Sequence, residues 1–483
     1  MEQERIPLLM PSIFPVTCHT DFVGQGTTFV AISGYVDNGV KYIPLAIEKG
    51  ASTIVIEREV SVKHLQQLIN ERNITLIRVD DARGALADLS AQAAGFPAKK
   101  LKIIGITGTK GKTTTAFLLE HCLSVAGYKV GRISSAGNSI NGVTFAAVLT
   151  TPQPDYLHQF LKLCVENSVE YVVMEVAAQA LTLHRVKGIQ FDGVIFTNFS
   201  HEHLEFYPTM DNYYEAKSRI FDMAYVHAPI VVNSDDEKGL SVITGYSGQK
   251  KCIGYGFYSE AEYKGMYDAT NSDACSLFIY HNDGEKVMVQ CSSLFGHYNA
   301  YNILAAITMA HVLGIAFSVI AQAFTTFAGV PGRLQSVDLP NGARAFIDYA
   351  HNPSSFEAVL STLRQLTDHL IVIFGAGGGK DKFKRPIMGA LACRYADCVV
   401  LTADNPRLEH IDFIMNDILA GINAENQQKT VICYDREQAI HQAYKRSRKG
   451  SIIALLGKGS DEYQIIGTVK HFFSESSVLK QLL

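Results

Sequence analysis

The stretch LKIIGITGTKGKTTTAFLLEHC at residues 101–122 joins a continuous apolar run to a turn rich in glycine and lysine, and then to a helical pattern. A buried strand, a glycine-rich turn and a helix in this order are typical of a phosphate-binding loop, because the backbone N–H groups at the start of the helix surround phosphate oxygens. In such a loop the lysine of the Gly-Lys-Thr core reaches the terminal phosphates and the next hydroxyl holds Mg²⁺. Ile106 stands where the general pattern has its first glycine, so the alternative is a plain strand–helix turn with an incidental lysine. The complete strand, turn and helix favour the phosphate loop.

Further apolar runs follow this loop along the chain. Those at residues 171–176, 193–198 and 228–233 are separated by helical patterns, which predicts a parallel sheet buried on both faces. Residues 251–296 carry polar, alternating runs and are predicted to form an antiparallel edge or excursion. The fold class is therefore predicted to be α/β with three domains. These are a small α/β domain at residues 1–99, a central domain with the phosphate loop in a mononucleotide-binding parallel sheet at residues 100–331, and a Rossmann-like α/β domain at residues 332–483.

The composition excludes several classes of protein. With 483 residues and a formal net charge of −4, the chain has the size for three domains and lacks the basic surface that nucleic acid requires. Its nine cysteines include no Cys-x-x-Cys pair, so neither a zinc knuckle nor a redox dithiol is predicted, and their odd number fits reduced thiols in a cytosol.

Two further features bear on location. The uncharged stretch between Lys286 and Arg333 is interrupted by polar residues throughout, which predicts two buried helices, near 299–312 and 317–327, rather than a membrane span. The first fifteen residues lack the basic start and the long apolar run of a signal peptide. We therefore expect a cytoplasmic protein without nucleic-acid or membrane partners.

Acidic and histidine residues follow the strands beside the loop. Glu175 lies at the end of the run at 171–176, where a carboxylate beside a phosphate loop suits a Mg²⁺ ligand, either direct or through water. A helix-capping or salt-bridged glutamate is the alternative. The next run leads into residues 200–205, whose histidines and glutamates are typical of a metal site but lack the zincin spacing. Lys217, further along, would by itself be interpreted as a solvated lysine.

Taken in order, these motifs resemble those of the Mur ligases, the ATP-dependent amide ligases of bacterial wall synthesis. The matching segments are GTKGKTT at 108–114, TTP at 150–152, Glu175, Arg185, FTNFSHEHLE at 196–205, EAKSRIF at 215–221, GHYNAYN at 296–302, PGRLQ at 331–335, DYAHNP at 348–353 and DNPR at 404–407. The resemblance covers essentially the whole chain. It implies that the first domain binds the UDP-sugar, the second binds ATP and the third binds an amino acid.

The resemblance also implies that ATP, Mg²⁺ and a CO₂-derived carbamate on Lys217 take part in the reaction. The implied catalytic residues are Lys112, Lys217 and His203. The implied ATP-binding residues are Gly108, Thr109, Lys110, Gly111, Lys112, Thr113 and Thr114, with Asn299 and Asn302 near the base and Arg333, Asp348 and His351 facing the nucleotide from the third domain. The implied metal-binding residues are Thr113, Glu175, His203 and the carbamate of Lys217.

Two substrates follow from the same resemblance. UDP-N-acetylmuramoyl-L-alanyl-D-glutamate would be held by Thr20, Tyr35, Thr150, Thr151 and Arg185, and meso-2,6-diaminopimelate by Lys380, Asp404, Asn405, Pro406, Arg407, Gly457 and Asp461. The DNPR run resembles the mark of members that add diaminopimelate, whose second amino-acid end carries a carboxylate that a fork-shaped guanidinium suits better than a point charge. The implied reaction activates the D-glutamyl carboxylate as an acyl phosphate, which the amine then attacks. A monomer is expected.

Several positions depart from the family pattern. The family's DSR, SSHGL and GKGHE are here HTD at 19–21, AAQAL at 177–181 and GKGSD at 457–461, and Lys380 stands where arginine is usual. These changes leave the expectation for ATP intact and weaken the contacts assigned to the uridine and muramyl groups. The alternatives are another amide ligase of the family (lysine-adding or folyl-polyglutamate), a P-loop kinase of small molecules, and a nucleotide-binding regulator without turnover. The DNPR run and the separate first domain argue against the folate enzyme.

Overall fold

Three sheets organise the chain. The computed structural model describes residues 8–34, 37–202, 206–246, 248–268 and 274–483. Within these ranges a four-stranded sheet lies in the first hundred residues, an eleven-stranded sheet in the middle and a six-stranded sheet near the end, followed by a two-stranded hairpin. The predicted three-domain α/β fold is therefore confirmed, while its boundaries at residues 99 and 331 remain a prediction.

Contacts between residues divide the chain into two compact units. One combines residues 1–266, 278–288 and 301–324, and the other combines residues 267–277, 289–300 and 325–483. The four-stranded sheet and most of the eleven-stranded sheet fall in the first unit, and the six-stranded sheet falls in the second.

The first sheet is parallel throughout, and its strands follow the chain order. A run of β-branched residues at 54–56 makes its third strand fully buried at the centre, as a sheet covered on both faces requires. The strands are β1 (Val16–Thr17), β2 (Thr28–Val30), β3 (Thr53–Glu57) and β4 (Thr75–Val79). The helices are α1 (Ile43–Glu48), α2 (Gln66–Glu71) and α3 (Ala82–Ala93), with short 3₁₀ segments at Thr20–Phe22, Gly39–Tyr42, Lys63–Leu65 and Pro97–Lys100.

The second sheet contains the predicted phosphate loop at its centre. Its strands are β5 (Lys102–Thr107), β6 (Val130–Ile133), β7 (Asn138–Ile140), β8 (Val143–Phe145), β9 (Tyr171–Glu175), β10 (Gly193–Phe196), β11 (Pro229–Asn233), β12 (Lys251–Gly256), β13 (Tyr263–Asp268), β14 (Cys275–His281) and β15 (Lys286–Cys291). They are ordered β15-β14-β13-β12-β11-β10-β5-β9-β6-β7-β8. The helices are α4 (Lys112–Val125), α5 (Pro154–Glu166), α6 (Ala178–Thr182), α7 (Met210–Asp222), α8 (Glu237–Gly245), α9 (His297–Val312) and α10 (Phe317–Thr325).

The register of the central strands brings three chain segments to one edge of the sheet. β5 pairs in parallel with β9 so that Ile106 faces Glu175, and with β10 so that Thr107 faces Phe196. Parallel strands end at the same edge, and ligands of open α/β sheets bind outside those carboxyl ends. The phosphate loop, Glu175 and the segment after β10 therefore lie side by side.

The expectation of antiparallel strands across residues 251–296 is wrong for its first half. β12 pairs in parallel with β11, and β13 pairs in parallel with β12. β12 has four buried residues in succession at 253–256, so it extends the buried part of the sheet. The position of this region at the sheet edge is as predicted. The two helices predicted in the uncharged stretch are also present, as α9 and α10.

The third sheet is a doubly wound parallel sheet with one antiparallel edge strand. Its strands are β16 (Gln335–Asp338), β17 (Arg344–Asp348), β18 (Leu370–Phe374), β19 (Cys398–Leu401), β20 (Thr430–Ile432) and β21 (Ile452–Leu456), ordered β16-β17-β21-β18-β19-β20, and the hairpin strands are β22 (Tyr463–Ile466) and β23 (Val469–Phe472). The helices are α11 (Pro353–Gln365), α12 (Lys384–Tyr395), α13 (Ile411–Leu419), α14 (Ala424–Gln427), α15 (Arg436–Arg446) and α16 (Glu475–Lys480). Among the described residues, no helix is both long enough and apolar enough to span a bilayer.

Candidate active site

The phosphate loop leaves β5 and enters α4 as the sequence predicts. Lys112 is the first residue of α4, and its Nζ donates to Gly108 O and Thr109 O, each at 2.9 Å. Gly108 has a φ of 144°, and a Cβ at this position would overlap the Thr197 hydroxyl. Glycine is therefore required where the loop passes close to the end of β10.

The segment after β10 fastens the loop through side-chain hydrogen bonds. Lys110 N donates to Asn198 Oδ1 at 3.0 Å, and Asn198 Nδ2 donates back to Lys110 O at 3.0 Å. Thr197 Oγ1 also donates to Lys110 O, at 2.6 Å, and Thr109 N donates to Asn198 O at 2.8 Å. These contacts hold the backbone of Thr109 and Lys110 in place.

Glu175 lies fully buried at the end of β9 and is connected to the helix start through one serine. Ser135 N donates to Glu175 Oε1 at 2.9 Å, and Ser135 Oγ lies 2.9 Å from Thr113 Oγ1. A carboxylate and two hydroxyls are the oxygen donors that Mg²⁺ prefers, so this set fits the predicted metal. Within the described ranges no group of three His, Cys, Asp or Glu side chains converges. His203 lies outside the described residues.

Lys217 is buried, so its interpretation as a solvated lysine is wrong. Its side chain lies on α7, its Nζ donates to Gly108 O at 2.7 Å, and it lies 4.5 Å from the centre of the Tyr213 ring. Burial, and then the charge of Lys112, lower the pKa of Lys217 well below its usual value, against an opposing effect of Glu202. The neutral amine is therefore favoured far more than on a surface lysine.

Thr151 and Arg185, two of the residues predicted to hold the muramyl dipeptide, lie together beside Glu175. Thr151 Oγ1 donates to Glu175 O at 2.8 Å, and Arg185 Nη1 donates to Thr151 O at 3.0 Å. In the described part of the chain Arg185 Nε is buried without a hydrogen-bond partner. Burial, followed by the charge of Arg83 on α3, lowers the pKa of Arg185. The charge of Arg83 therefore acts on Arg185 from a neighbouring element.

The other predicted contacts of that substrate are less closely defined. Thr20 begins a 3₁₀ segment, and its carbonyl accepts a hydrogen bond from Lys49 Nζ at 2.9 Å. Thr150 is partly exposed next to Thr151. Tyr35 lies outside the described residues.

In the six-stranded domain, the DNPR run follows β19, and Lys458 contacts its first two residues. Asp404 and Asn405 are buried, and the ammonium of Lys458 lies 3.3 Å from Asp404 Oδ1 and 3.5 Å from Asn405 Oδ1. Pro406 leads into Arg407, whose φ of 54° is left-handed. Arg407 Nη1 donates to Gly378 O at 3.1 Å, which places the guanidinium at the loop after β18.

Gly457 and Asp461 come from the loop after β21, in the same domain. Gly457 has an open face, and the nearest side-chain atom to it is Asp404 Oδ2, 3.9 Å from where a Cβ would stand. Burial raises the pKa of Asp461, while the charge of Lys458 lowers it. Lys380 is exposed on the loop after β18.

The residues predicted to face the nucleotide from the third domain lie at the end of β17. Asp348 is buried, and its two oxygens accept hydrogen bonds from Leu334 N at 2.7 Å and Ala350 N at 2.8 Å. Burial raises the pKa of Asp348, and the charge of Arg333 opposes this. Arg333 lies 4.7 Å above the centre of the Tyr349 ring.

His351 Nδ1 is 2.7 Å from Tyr349 O in the loop that follows β17. Asn299 and Asn302 are both buried on α9. Asn299 Nδ2 donates to Phe295 O at 2.9 Å, and the amide of Asn302 lies against Gly111 of the phosphate loop. A Cβ at Gly111 would overlap that amide.

Comparison with known proteins agrees with this geometry. The model of the Mur ligase middle domain matches residues 106–310, and that of the Mur ligase glutamate ligase domain matches residues 332–459. The chain belongs to the Mur ligase family. It is 37% identical over 469 residues to the UDP-N-acetylmuramoyl-L-alanyl-D-glutamate–2,6-diaminopimelate ligase of Clostridium perfringens, covering 95% of this chain and 93% of that protein.

Two further comparisons extend over almost the whole chain. The ligase of the same name from Parabacteroides distasonis is 36% identical over 463 residues, covering 95% of this chain and 92% of that protein. A solved structure of a ligase of that name is 26% identical with a TM-score of 0.66, covering 97% of this chain and 94% of that one. This Mur ligase thus resembles diaminopimelate-adding members from end to end.

Sequence reasoning missed three residues that the structure brings to the site. Ser135 joins Thr113 to Glu175, Asn198 holds Lys110, and the charge of Arg83 acts on Arg185. Asn198 carried a signal, because it lies two residues after β10, a strand that pairs beside the loop. Ser135 and Arg83 reach the site from segments with no motif of their own, so only the sheet order and the packing of α3 reveal them.

Proposed function

We propose that this chain uses ATP to join meso-2,6-diaminopimelate to the D-glutamyl carboxylate of UDP-N-acetylmuramoyl-L-alanyl-D-glutamate. The observation that carries the proposal is the position of Arg407, whose guanidinium is held at the loop after β18 by Gly378 O and Asn405 O. A planar cation fixed in this way suits the carboxylate at the far end of diaminopimelate. The relatives named for the same reaction support it.

The first half of the proposed reaction is phosphoryl transfer to a carboxylate. The D-glutamyl oxygen attacks the γ-phosphorus of ATP, the bond to the β-phosphate oxygen breaks, and an acyl phosphate and ADP form. Two anions must meet, so cations are needed where they do. The phosphates would lie on the N–H groups of residues 108–114, and Lys112 would turn from Gly108 O and Thr109 O to neutralise them.

Mg²⁺ would be held by Thr113, Glu175, His203 and a carbamate on Lys217, and it would supply further positive charge to the phosphates. The state of Lys217 supports the carbamate. Burial favours its neutral amine, whose lone pair forms a C–N bond with CO₂ as one proton is released. The anion produced in this way would relieve the repulsion between Lys217 and Lys112.

The remaining substrate groups follow from the domain assignments. We assign the UDP-muramyl dipeptide to Thr20, Tyr35, Thr150, Thr151 and Arg185. For ATP, we assign Asn299 and Asn302 to the neighbourhood of the base, and Arg333, Asp348 and His351 to the face that the third domain presents to the nucleotide. Arg83 joins the first group, because its charge and that of Arg185 suit the carboxylates of the dipeptide.

The second half of the reaction is amide formation. The neutral amine of diaminopimelate attacks the acyl carbon, the C–O bond to phosphate breaks, and phosphate leaves with the proton that the amine releases. Water must be excluded during this step, because it otherwise hydrolyses an acyl phosphate. We assign the amino acid to Lys380, Asp404, Asn405, Pro406, Arg407, Gly457 and Asp461. A monomeric, cytoplasmic enzyme is part of the proposal.

Phosphate release from ATP tests the proposal directly. The UDP-muramyl dipeptide is supplied with meso-diaminopimelate, with L-lysine or with no amine, and the product mass is recorded. Release with diaminopimelate alone, with a product heavier by that residue, is expected. Equal release with lysine would refute the role of Arg407, and release without any amine acceptor but with a phosphorylated hydroxyl product would indicate a kinase.

A further inference from the structure

Lys458 is a fully buried lysine that none of the roles above uses. It follows β21, and its ammonium lies against Asp404 Oδ1 and Asn405 Oδ1, at 3.3 and 3.5 Å. A buried ammonium is strongly unfavourable unless its partners compensate. Burial lowers the pKa of Lys458, and the charge of Asp404 opposes this effect without cancelling it. The two oxygens that Lys458 contacts belong to the DNPR run, so the lysine can hold this run in position.

The backbone around Lys458 turns its side chain inward. Gly457 and Gly459 on either side have φ values of 111° and 54°, which side chains rarely adopt. A Cβ at Gly459 would come within 2.7 Å of Tyr349 Cβ. The Gly-Lys-Gly turn can therefore place a lysine beneath the DNPR run only with glycine on both sides.

The contacts of Lys458 continue to Arg407 through Asn405. Asn405 Oδ1 also accepts from Ile465 N at 2.9 Å, and Asn405 O accepts from Gly378 N at 2.9 Å and from Arg407 Nη1 at 3.3 Å. Lys458 thus holds the residue whose carbonyl orients the guanidinium. It also takes up one oxygen of Asp404, which leaves Oδ2 as the side-chain atom nearest the open face of Gly457.

We propose that Lys458 is a positioning residue that sets the Asp404–Arg407 segment, and with it the second amino-acid end of the incoming amine. Asp404 and Arg407, which the proposed function assigns to this amino acid, are held in place in this way. This inference rests on the proposed function for the identity of the amine. The positioning of the segment itself does not depend on which amine is used.

Lys458→Met keeps the volume of the side chain and removes its hydrogen bonds. Lys429→Met is the matched control, because Lys429 lies in the same domain. Among the described residues its Nζ donates to two carbonyls at the end of α12, those of Cys393 at 2.6 Å and Ala396 at 2.8 Å. We expect Lys458→Met to raise the KM for diaminopimelate about 30-fold, with the KM for ATP within about twofold of wild type. The control should lower the thermal midpoint without changing either KM.

Two additions keep the test decisive. If Lys458→Met fails to fold, Lys458→Gln replaces it, because the amide can still donate to one of the two oxygens, and the same comparison of KM values applies. Amide hydrogen exchange over residues 403–408 and 465–467 is measured without substrates. Exchange at least about tenfold faster than wild type is expected for the Lys458 variant and not for the control.

The outcomes separate the inference from the proposed function. Unchanged exchange, or a KM for ATP that rises as much as that for diaminopimelate, would overturn the role of Lys458. A wild-type enzyme that releases no phosphate with diaminopimelate would overturn the proposed function, while faster exchange in Lys458→Met would still support the positioning of this segment.

Discussion

Asn198 tests whether the phosphate loop is shaped before the nucleotide binds. Asn198→Ala removes two hydrogen bonds to the backbone of Lys110, both of 3.0 Å, and leaves Lys110 N without that acceptor. Two such bonds to a partly buried stretch of backbone contribute about 2–3 kcal/mol. Thr197 continues to donate to Lys110 O, so we take about 2–3 kcal/mol as the loss.

If ATP must reorder the loop at this cost, its KM rises by about 30- to 150-fold. The assay measures ADP release under saturating amounts of the other substrates, together with thermal unfolding with and without ATP. Asn198→Asp is the second variant, because it keeps the acceptor for Lys110 N, loses the donor to Lys110 O and places a negative charge beside the phosphates. It should raise the KM for ATP at least as much.

Asn341→Ala provides the control. Its amide also bonds in both directions, to Ser447 Oγ at 2.8 Å and from Ala343 N at 3.1 Å, in the six-stranded domain. It should lower stability by a similar amount and leave the KM for ATP unchanged. A KM for ATP in Asn198→Ala that matches that of the control would refute the reasoning.

Three further predictions concern single side chains. Lys217→Met should reduce kcat by at least about 100-fold, while the thermal midpoint stays the same or rises because burying an amine is unfavourable. Steady-state kinetics and thermal unfolding measure the two effects. A kcat within tenfold of wild type would contradict the role of Lys217. Arg407→Lys should raise the KM for diaminopimelate about 10- to 100-fold and leave that for ATP unchanged, because an ammonium cannot bond the carboxylate in two places; equal effects on both KM values would argue against it. Glu409→Gln should destabilise the protein near pH 7, because Arg385 holds the pKa of Glu409 well below its usual 4.5. Because the pKa of Glu409 is lowered in the folded state, its contribution to the free energy of unfolding is present above pH 4.5 and is lost as the pH falls further. Chemical denaturation at pH 7 and at pH 3 measures this. The difference in the free energy of unfolding between wild type and Glu409→Gln should be smaller at pH 3.

The sequence was sufficient for features that depend on neighbouring residues. The phosphate loop, the strands on either side of it and the acid at the end of β9 follow from local patterns, because strand, turn and helix signals are short-range. The burial of Lys217 could not be predicted in this way. The sequence around Lys217 has the pattern of an amphipathic helix, which does not show on which face Lys217 is buried. The packing of α7 against the carboxyl edge of β5 turns Lys217 inward.

Pairing direction and side-chain networks were also beyond the sequence. Alternating residues at 251–296 predicted antiparallel strands, but alternation reports which faces are buried and not the direction of the partner strand. β12 enters in parallel because α8 carries the chain back across the sheet. Ser135 lies 40 residues from its partner Glu175 in the sequence, and Lys458 lies 54 residues from its partner Asp404. Local sequence patterns do not predict contacts over such separations.

The carbonyl of Gly108 connects the burial of Lys217 to the proposed chemistry. It accepts from Lys112 Nζ at 2.9 Å and from Lys217 Nζ at 2.7 Å, so two amines share one oxygen. Two ammonium groups that donate to the same carbonyl repel, and burial lowers the pKa of Lys217, so the loss of a proton from Lys217 is favoured. The proposed role of Lys112 in neutralising phosphates requires its charged form. A carbamate on Lys217 would be an anion, so it would attract the ammonium of Lys112 instead of repelling it. Enzyme kept free of CO₂ should therefore lose turnover and regain it when bicarbonate is added.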